Sequence, residues 1–412
     1  MDKECQAKEK RIERRILWRF YEQTKQTDMI KVGTDFSGIG SPEAALKRLN
    51  IPHHNVFACD IDKYAKKSFL ELNSPDLFYD DITTRDYKEV PQLDLYVAGF
   101  PCQSFSLAGK RGGFNDTRGT LFFNVAEFIK VNQPACFILE NVKGLLSHDN
   151  GRTYQTITDV LTNGGGTLNG QMGMDTIDDG LGYHVYTKVL NTKDYGIPQN
   201  RERIFIVGFK HWRTFNFPVK LPLKLKLKDM LQDNPNSKFY LSNKRIKTLE
   251  SNKRSIGFTD TNKKNIANCL IASYYKLPTD GEYIKVDDKY YLSDKMLKFL
   301  NNHKEKYKES GFGRFKPNNG NEIARCLRAN AALCPTDNTV IAHSLYPRSS
   351  KTEKDKKIRR LTPLECWRLQ GFTDEEFYKA QKVNSDSQLY KQAGNSITVN
   401  VMTAILKKIY LS

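Results

Sequence analysis

The sequence predicts an open α/β sheet with a mostly parallel core, accompanied by a second, smaller lobe. Three observations predict it. From Met29 onward short apolar runs alternate with helix-period runs, joined by short connections, which is the pattern of repeated β-α units. After about Trp212 the texture changes to lysine- and asparagine-rich sequence with short mixed segments. The chain has 412 residues, beyond the ~250–300 at which a single hydrophobic core stops growing.

Taken in order, residues 1–28 are a basic helical extension in which Ile12, Ile16, Leu17 and Phe20 fall at helical spacing. It suits either a cap on the core or an arm toward DNA. Residues 29–36 read as a strand and 41–50 as a helix, with Ser41 as N-cap and Pro42 at its first position. A strand over 55–60 ends in Asp60, a helix covers 64–73, and a third strand ends at Asp81 in "YDDI". Then come a strand over 93–100, a helix over 120–132, a strand over 134–141 and a helix over 153–163. Residues 164–182 hold seven glycines without periodicity, so a flexible insertion is expected before the strands at 184–191 and 203–209. The first lobe is therefore assigned 29–212, completed by 386–412 with a final helix over 398–410. The smaller lobe is assigned 213–385.

Composition narrows the function classes. Net charge is +18, from 65 Lys+Arg against 47 Asp+Glu, and Lys210–Leu270 alone holds 14 basic residues against 4 acidic. Clustered basic charge favours a polyanionic partner, above all nucleic acid. No apolar run approaches the ~18 residues of a membrane span, and the charged N-terminus does not read as a secretory signal. A cytoplasmic protein without membrane contact is expected. The eight cysteines are scattered, with neither a C-x-x-C pair nor histidines at zinc spacing. No metal is expected, and a functional thiol must be singled out by its surroundings.

Two clusters carry the chemistry. "DFSGIG" (35–40) links the first strand to the first helix, and Gly38 and Gly40 let backbone N–H groups approach a ligand at the helix N-terminus. Glu43 stands where the dinucleotide fingerprint has its third glycine, and a carboxylate there would repel a pyrophosphate. Asp60, about 20 residues on, occupies the position that reads ribose hydroxyls in this architecture, and Asp81 is placed beside an adenine amino group. A nucleoside without phosphates is the expected ligand. In the second cluster, Cys102 follows the fourth strand in "GFPCQSFS", Glu140 ends "FILEN", and Arg201 and Arg203 alternate in "QNRER". A thiol, a carboxyl and two guanidiniums converge on one sheet edge, with no strand-end histidine of the kind a Cys-His hydrolase needs. A carboxyl directly after four apolar residues is expected to be partly buried, with a raised pKa.

"DFSGIG", "GFPCQSFS", "ENV", "QNRER", "RRLTPLECWRLQGF" and "GNSITVNV" together, in this order, resemble the motif set of DNA (cytosine-5)-methyltransferases, over 30–212 and 359–405. The resemblance implies an S-adenosylmethionine-dependent methyltransferase (Rossmann-like) α/β fold with a target-recognition domain, in which 359–372 is a scaffold motif and Cys366 is structural. It implies methyl transfer from S-adenosyl-L-methionine to C5 of a cytosine flipped out of double-stranded DNA, through a covalent Cys102–C6 intermediate. Glu140 would contact N3 and the exocyclic amine, and Arg203 would hold O2 with Arg201 beside it. Cofactor contacts are carried over to Phe36, Ser37, Gly38, Gly40, Asp60, Ile61, Asp81, Ile82, Phe100, Leu121, Asn395 and Ile397. Many members have Glu where Asp60 stands. DNA contacts fall on Gln103, Ser106, Lys110, Arg111 and Arg118, in a segment that resembles the family's mobile loop. A monomeric modification enzyme with a cognate restriction endonuclease as counterpart is implied. An RNA (tRNA) cytosine-5 methyltransferase is the alternative; a DNA-binding relative without catalysis and a nicotinamide-dependent oxidoreductase are the further rivals.

Overall fold

The computed structural model describes residues 29–101, 121–162, 180–233, 235–252, 261, 264–276, 283–285 and 358–411. The N-terminal extension, Cys102 with the expected DNA contacts after it, and nearly all of the glycine-rich insertion lie outside the described residues.

In chain order the elements are β1 (Ile30–Asp35), α1 (Ser41–Arg48), β2 (His53–Cys59), α2 (Lys63–Leu72), β3 (Leu77–Tyr79), β4 (Leu95–Ala98) and α3 (Leu121–Asn132). They continue with β5 (Cys136–Val142), α4 (Arg152–Leu161), β6 (His184–Asn191), β7 (Glu202–Phe209), α5 (Asn243–Ser251), β8 (Tyr283–Lys285) and β9 (Ile358–Arg360). Four helices close the chain: α6 (Pro363–Leu369), α7 (Asp374–Gln381), α8 (Asp386–Asn395) and α9 (Val399–Tyr410).

Strands β1–β7 form one sheet in the order β3-β2-β1-β4-β5-β7-β6. The first five of that order pair in parallel, while β7 runs antiparallel to both β5 and β6. The expected mostly parallel α/β sheet is therefore present. Central strands read as continuous apolar runs because both faces are covered: all four residues of β4 are buried, and so are Phe122, Val125, Phe128 and Ile129 of α3. The chain leaves β1 in opposite lateral directions toward β2 and β4, and that switch point is where such sheets bind ligands. The antiparallel β7 matters equally, because its N-terminal end lies beside the C-terminal end of β5.

Three local expectations change. Ser41 is not the N-cap of α1: Gly40 holds that position in the left-handed region (φ 83°), with no side-chain cap, and the Ser41 hydroxyl is committed elsewhere. The third strand ends at Tyr79, so Asp81 sits two residues past it in a turn that its own side chain closes by accepting the Thr83 N–H and hydroxyl, each at 2.8 Å. The fourth strand stops at Ala98, where Gly99-Phe100-Pro101 leads away from it.

The chain divides into two compact units, one drawing on Met1–Leu231, Asn265–Pro278 and Pro363–Ser412, the other on Gln232–Lys264 and Thr279–Thr362. Residues 213–231, 265–278 and 363–385, expected in the smaller lobe, thus fall in the larger unit. Side-chain anchoring explains it: Trp367 is fully buried and donates to the Leu389 carbonyl at 3.0 Å, and Ala267 pairs with Gln199. In the smaller unit Phe239, Ile246, Leu249, Tyr283, Ile284 and Ile358 are buried, and β8 pairs antiparallel to β9. Among the described residues no helix is long and apolar enough to cross a membrane.

Candidate active site

The glycine turn after β1 is stitched to the end of β2. The Ser37 N–H donates to the Cys59 carbonyl at 3.0 Å, and the Cys59 N–H returns a bond to Ser37 Oγ at 2.9 Å. Phe36 (φ 54°) and Gly38 (φ 56°) both lie in the left-handed region, a conformation that for phenylalanine costs energy and persists only where the surroundings impose it. Asp60 imposes it from the other side. Its two carboxylate oxygens accept the N–H groups of Gly38 and Asp62, each at 2.8 Å. Burial raises the Asp60 pKa, against the pull of those N–H groups.

The surface above this turn suits a nucleoside. Among the described residues, a methyl group added at Gly38 would meet nothing closer than the Phe36 carbonyl at 4.0 Å. Ile61 is 81% exposed, an apolar side chain left uncovered beside Asp60. Ile82 is buried, Phe36 and Leu121 are half-buried against the same core, and Asn395 is exposed at the end of α8. Glu43 does not face a ligand: it is buried beneath the turn, accepts from the Thr34 hydroxyl at 3.2 Å, and has its pKa pushed up to about 7 by burial.

Beneath the same turn lies a feature that sequence reasoning missed. The Asp35 carboxylate takes both terminal guanidinium nitrogens of Arg85, at 2.9 and 2.8 Å, and the Tyr96 hydroxyl at 2.6 Å. Arg85 and Asp35 are both fully buried, and the guanidinium lies over the rings of Phe57 and Phe128 at 4.2 and 4.6 Å. This pair ties the end of β1 to the loop that carries Asp81 and Ile82. No local sequence signal marks it, since the partners are 50 residues apart.

At the other end of the sheet edge, β4, β5 and β7 bring the second cluster together. The β5–β7 register sets Glu140 opposite Phe205 and Val142 opposite Arg203, so Arg203 is the diagonal neighbour of Glu140 on the same face. Arg203 Nε meets Glu140 Oε1 at 3.1 Å, with 12% of the Glu140 side chain exposed. Burial raises the Glu140 pKa, outweighing the opposing effect of Arg203 and Arg201. A methyl group added at Gly99 would lie 3.5 Å from Glu140 Oε2 and 3.8 Å from Ile397 Cδ1, which places the end of β4 beside both the carboxyl and the 395–397 segment. Asn141 is buried and donates to the Phe100 carbonyl at 2.9 Å, holding the chain two residues before Cys102. Cys102, Gln103, Ser106, Lys110, Arg111 and Arg118 lie outside the described residues.

Arg201 goes elsewhere. It precedes β7, so strand alternation does not align it with Arg203. Its buried guanidinium donates to the carbonyls of Leu270 (3.0 Å), Gly394 (3.0 Å) and Ser396 (2.9 Å). Gln199 is also buried: its side chain accepts from the Leu270 N–H at 3.0 Å and donates to the Leu369 carbonyl at 2.7 Å. The first half of "QNRER" thus holds the 267–271 and 394–396 segments together, and only Arg203 reaches Glu140.

Comparison with known proteins identifies a family. The profile of the family described as C-5 cytosine-specific DNA methylase matches residues 31–170 and 176–411. The chain is 36% identical to the type II methyltransferase M.HpaII of Haemophilus parainfluenzae, over 91% of this chain and 87% of that one. It is 34% identical to the orphan methyltransferase M.SPRI of Bacillus phage SPR, over 92% and 97%. Among solved structures, the S. pombe Dnmt2 methyltransferase superposes with a TM-score of 0.61 at 18% identity, over 92% of this chain and 97% of that one.

Proposed function

The chain belongs to the C-5 cytosine-specific DNA methylase family, and from that premise we propose a mechanism: covalent methylation, through Cys102, of a cytosine flipped out of duplex DNA. It is a C-5 cytosine DNA methyltransferase of the restriction-modification type, read here as a monomeric cytoplasmic enzyme. A cognate endonuclease would be its functional counterpart. The observation that carries the mechanism is the half-buried Glu140–Arg203 pair at the β4–β5–β7 edge, beside Gly99, which precedes Cys102 by three residues.

C5 of cytosine is a weak nucleophile. Bond formation between the Cys102 thiolate and C6 moves the ring's π electrons toward N3 and makes C5 nucleophilic. Glu140, whose pKa burial raises, donates a proton to N3 as that charge develops and takes it back from N3 when the thiolate later leaves. Arg203, anchored on Glu140, is placed to hold O2. After C5 has gained the methyl group, loss of the C5 proton to solvent and cleavage of the C6–sulfur bond restore the aromatic ring.

S-adenosyl-L-methionine supplies the electrophilic methyl. The residues that would hold it are the turn at Phe36–Gly38 with Gly40, Asp60 for the ribose, Ile61 and Ile82 against the adenine with Asp81 at its amino group, and Phe100, Leu121, Asn395 and Ile397. The room at Gly38 among the described residues and the exposed Ile61 fit such a nucleoside. Gln103, Ser106, Lys110, Arg111 and Arg118 are the proposed DNA contacts. Basic charge over Lys210–Leu270 suits a polyanionic nucleic acid, the DNA methylase family match supports duplex DNA over tRNA, and binding should be strongly salt-dependent.

The test is a duplex carrying 5-fluorocytosine at the target, where fluorine blocks loss of the C5 substituent. The wild-type protein should form a denaturation-resistant adduct in the presence of cofactor, and Cys102→Ser should form none. Methylation retained by Cys102→Ser sinks the covalent mechanism. Preferential methylation of tRNA would favour the alternative substrate.

A further inference from the structure

Ser41, which fails as a helix cap, makes a contact across the fold instead. Its hydroxyl lies 2.8 Å from Ser396 Oγ and 2.8 Å from the Ile397 carbonyl oxygen. The partners are 355 residues apart in sequence, and both serines are buried. Both hydroxyls reach the same acceptor: Ser396 Oγ also lies 3.1 Å from the Ile397 carbonyl oxygen, so either serine can donate to the other. On the opposite side Arg201 grips the Gly394 and Ser396 carbonyls, and Gly394 admits no side chain because a Cβ would collide with the backbone of Ile271 and Ala272. Further along α8, Lys391 bonds Asp62 at 2.7 Å and Gln392 bonds the Tyr64 carbonyl at 3.0 Å.

The 394–397 segment is thus clamped from several elements. Ser41 is the clamp that leads straight back to the glycine turn, one residue beyond Gly40. We propose that Ser41 is a cofactor-positioning residue, whose hydroxyl locks the Asn395–Ile397 half of the S-adenosylmethionine site to the Phe36–Gly40 half through Ser396. This rests on the reading of those two segments as the cofactor site. Without the Ser41 hydroxyl, the Ser396 hydroxyl keeps, among the described residues, only the Ile397 carbonyl of its own segment, at 3.1 Å. The bond between the two halves is then gone, and they lose their fixed spacing.

The experiment is calorimetric titration of the purified full-length protein with S-adenosylhomocysteine, without DNA. Ser41→Ala should weaken binding by about tenfold, and so should Ser396→Ala. The double variant should be no weaker than the worse single one, since both remove one interaction. In turnover assays KM for S-adenosylmethionine should rise by the same factor with kcat nearly unchanged. Thr373→Ala, which removes the cap of α7, serves as a destabilised control and should bind as wild type. Wild-type affinity in Ser41→Ala, or additive losses in the double variant, overturns the proposal. If Asp60→Ala and Asn395→Ala weaken binding while Ser41→Ala does not, this inference alone falls. If all three bind as wild type, the cofactor reading falls with it.

Discussion

The two ends of one sheet edge bury a carboxylate in opposite ways. At the β1 end, Asp35 receives three hydrogen bonds, two from Arg85 and one from Tyr96, and is sealed from solvent. At the β5 end, Glu140 meets a single Arg203 nitrogen among the described residues, and both side chains keep some exposure. A saturated acid has nothing left to offer a substrate, and its work is to fix the loop bearing Asp81 and Ile82. A half-satisfied acid with a raised pKa can give and take a proton. Burial alone therefore does not separate structural from chemical carboxylates; spare acceptor capacity together with access to solvent does, since 12% of the Glu140 side chain is exposed while Glu43 is sealed.

The sharpest test of that contrast is Glu140→Gln, which keeps shape but cannot deliver a proton. It should slow methyl transfer by about 10²–10⁴-fold while leaving the urea midpoint close to wild type. The proposed proton donation to N3 needs the acidic form, and burial raises the Glu140 pKa, so wild-type kcat/KM should fall as pH rises through it. The variant should lose that limb of the profile. An unchanged profile would reassign Glu140.

Arg85→Ala should give the reverse pattern. Stranding Asp35 in the core should cost about 3–5 kcal/mol of stability by urea unfolding. Most of that penalty should disappear when Asp35→Asn is added, because the stranded charge is then gone. A loss of activity without a loss of stability would show that Asp35 belongs with the chemistry after all.

Glu43 supplies the third case, a buried acid without a cation. Lys47, one turn on, gives its ammonium to the Leu72 carbonyl and to Asn73. The Glu43 pKa is pushed up to about 7 from 4.5, first by burial, against weaker opposition from its backbone N–H, Thr34 and Lys47. A folded-state pKa above the unfolded one favours folding fully below the unfolded value, and that contribution is lost as pH rises through about 7. Glu43→Gln should abolish the loss, so the wild type should fall behind the variant by up to about 3 kcal/mol above pH 8. Parallel stability curves for the two proteins would show that Glu43 ionises freely.

Much of this site was readable from local pattern. Strand ends are visible where apolar runs stop, so Asp60, Glu140 and Arg203 could be assigned to one edge before any contact was known. Alternation failed at Arg201 because that residue precedes β7, and periodicity binds only residues inside a strand. Ser41 obeyed the helix-start pattern and still did not cap, because the left-handed Gly40 took the cap position and a hydroxyl far along the chain offered a better partner. Arg85 carried no signal at all.

From residues and spacing came the α/β class, the order of the strands along the chain and the candidate thiol, carboxyl and guanidinium cluster, while the family came from the resemblance that the motifs carry. All of these rest on local periodicity and on short motifs in a fixed order. The fold added which carboxylate is saturated and which is open, that 265–278 and 363–385 join the larger unit, and that Ser41 and Arg201 both hold the 394–397 segment. Such facts depend on contacts between residues tens to hundreds of positions apart. Spacing along a chain does not encode them, because a hydrogen bond depends on where two groups meet in space, and that is set only once the sheet and its helices have packed.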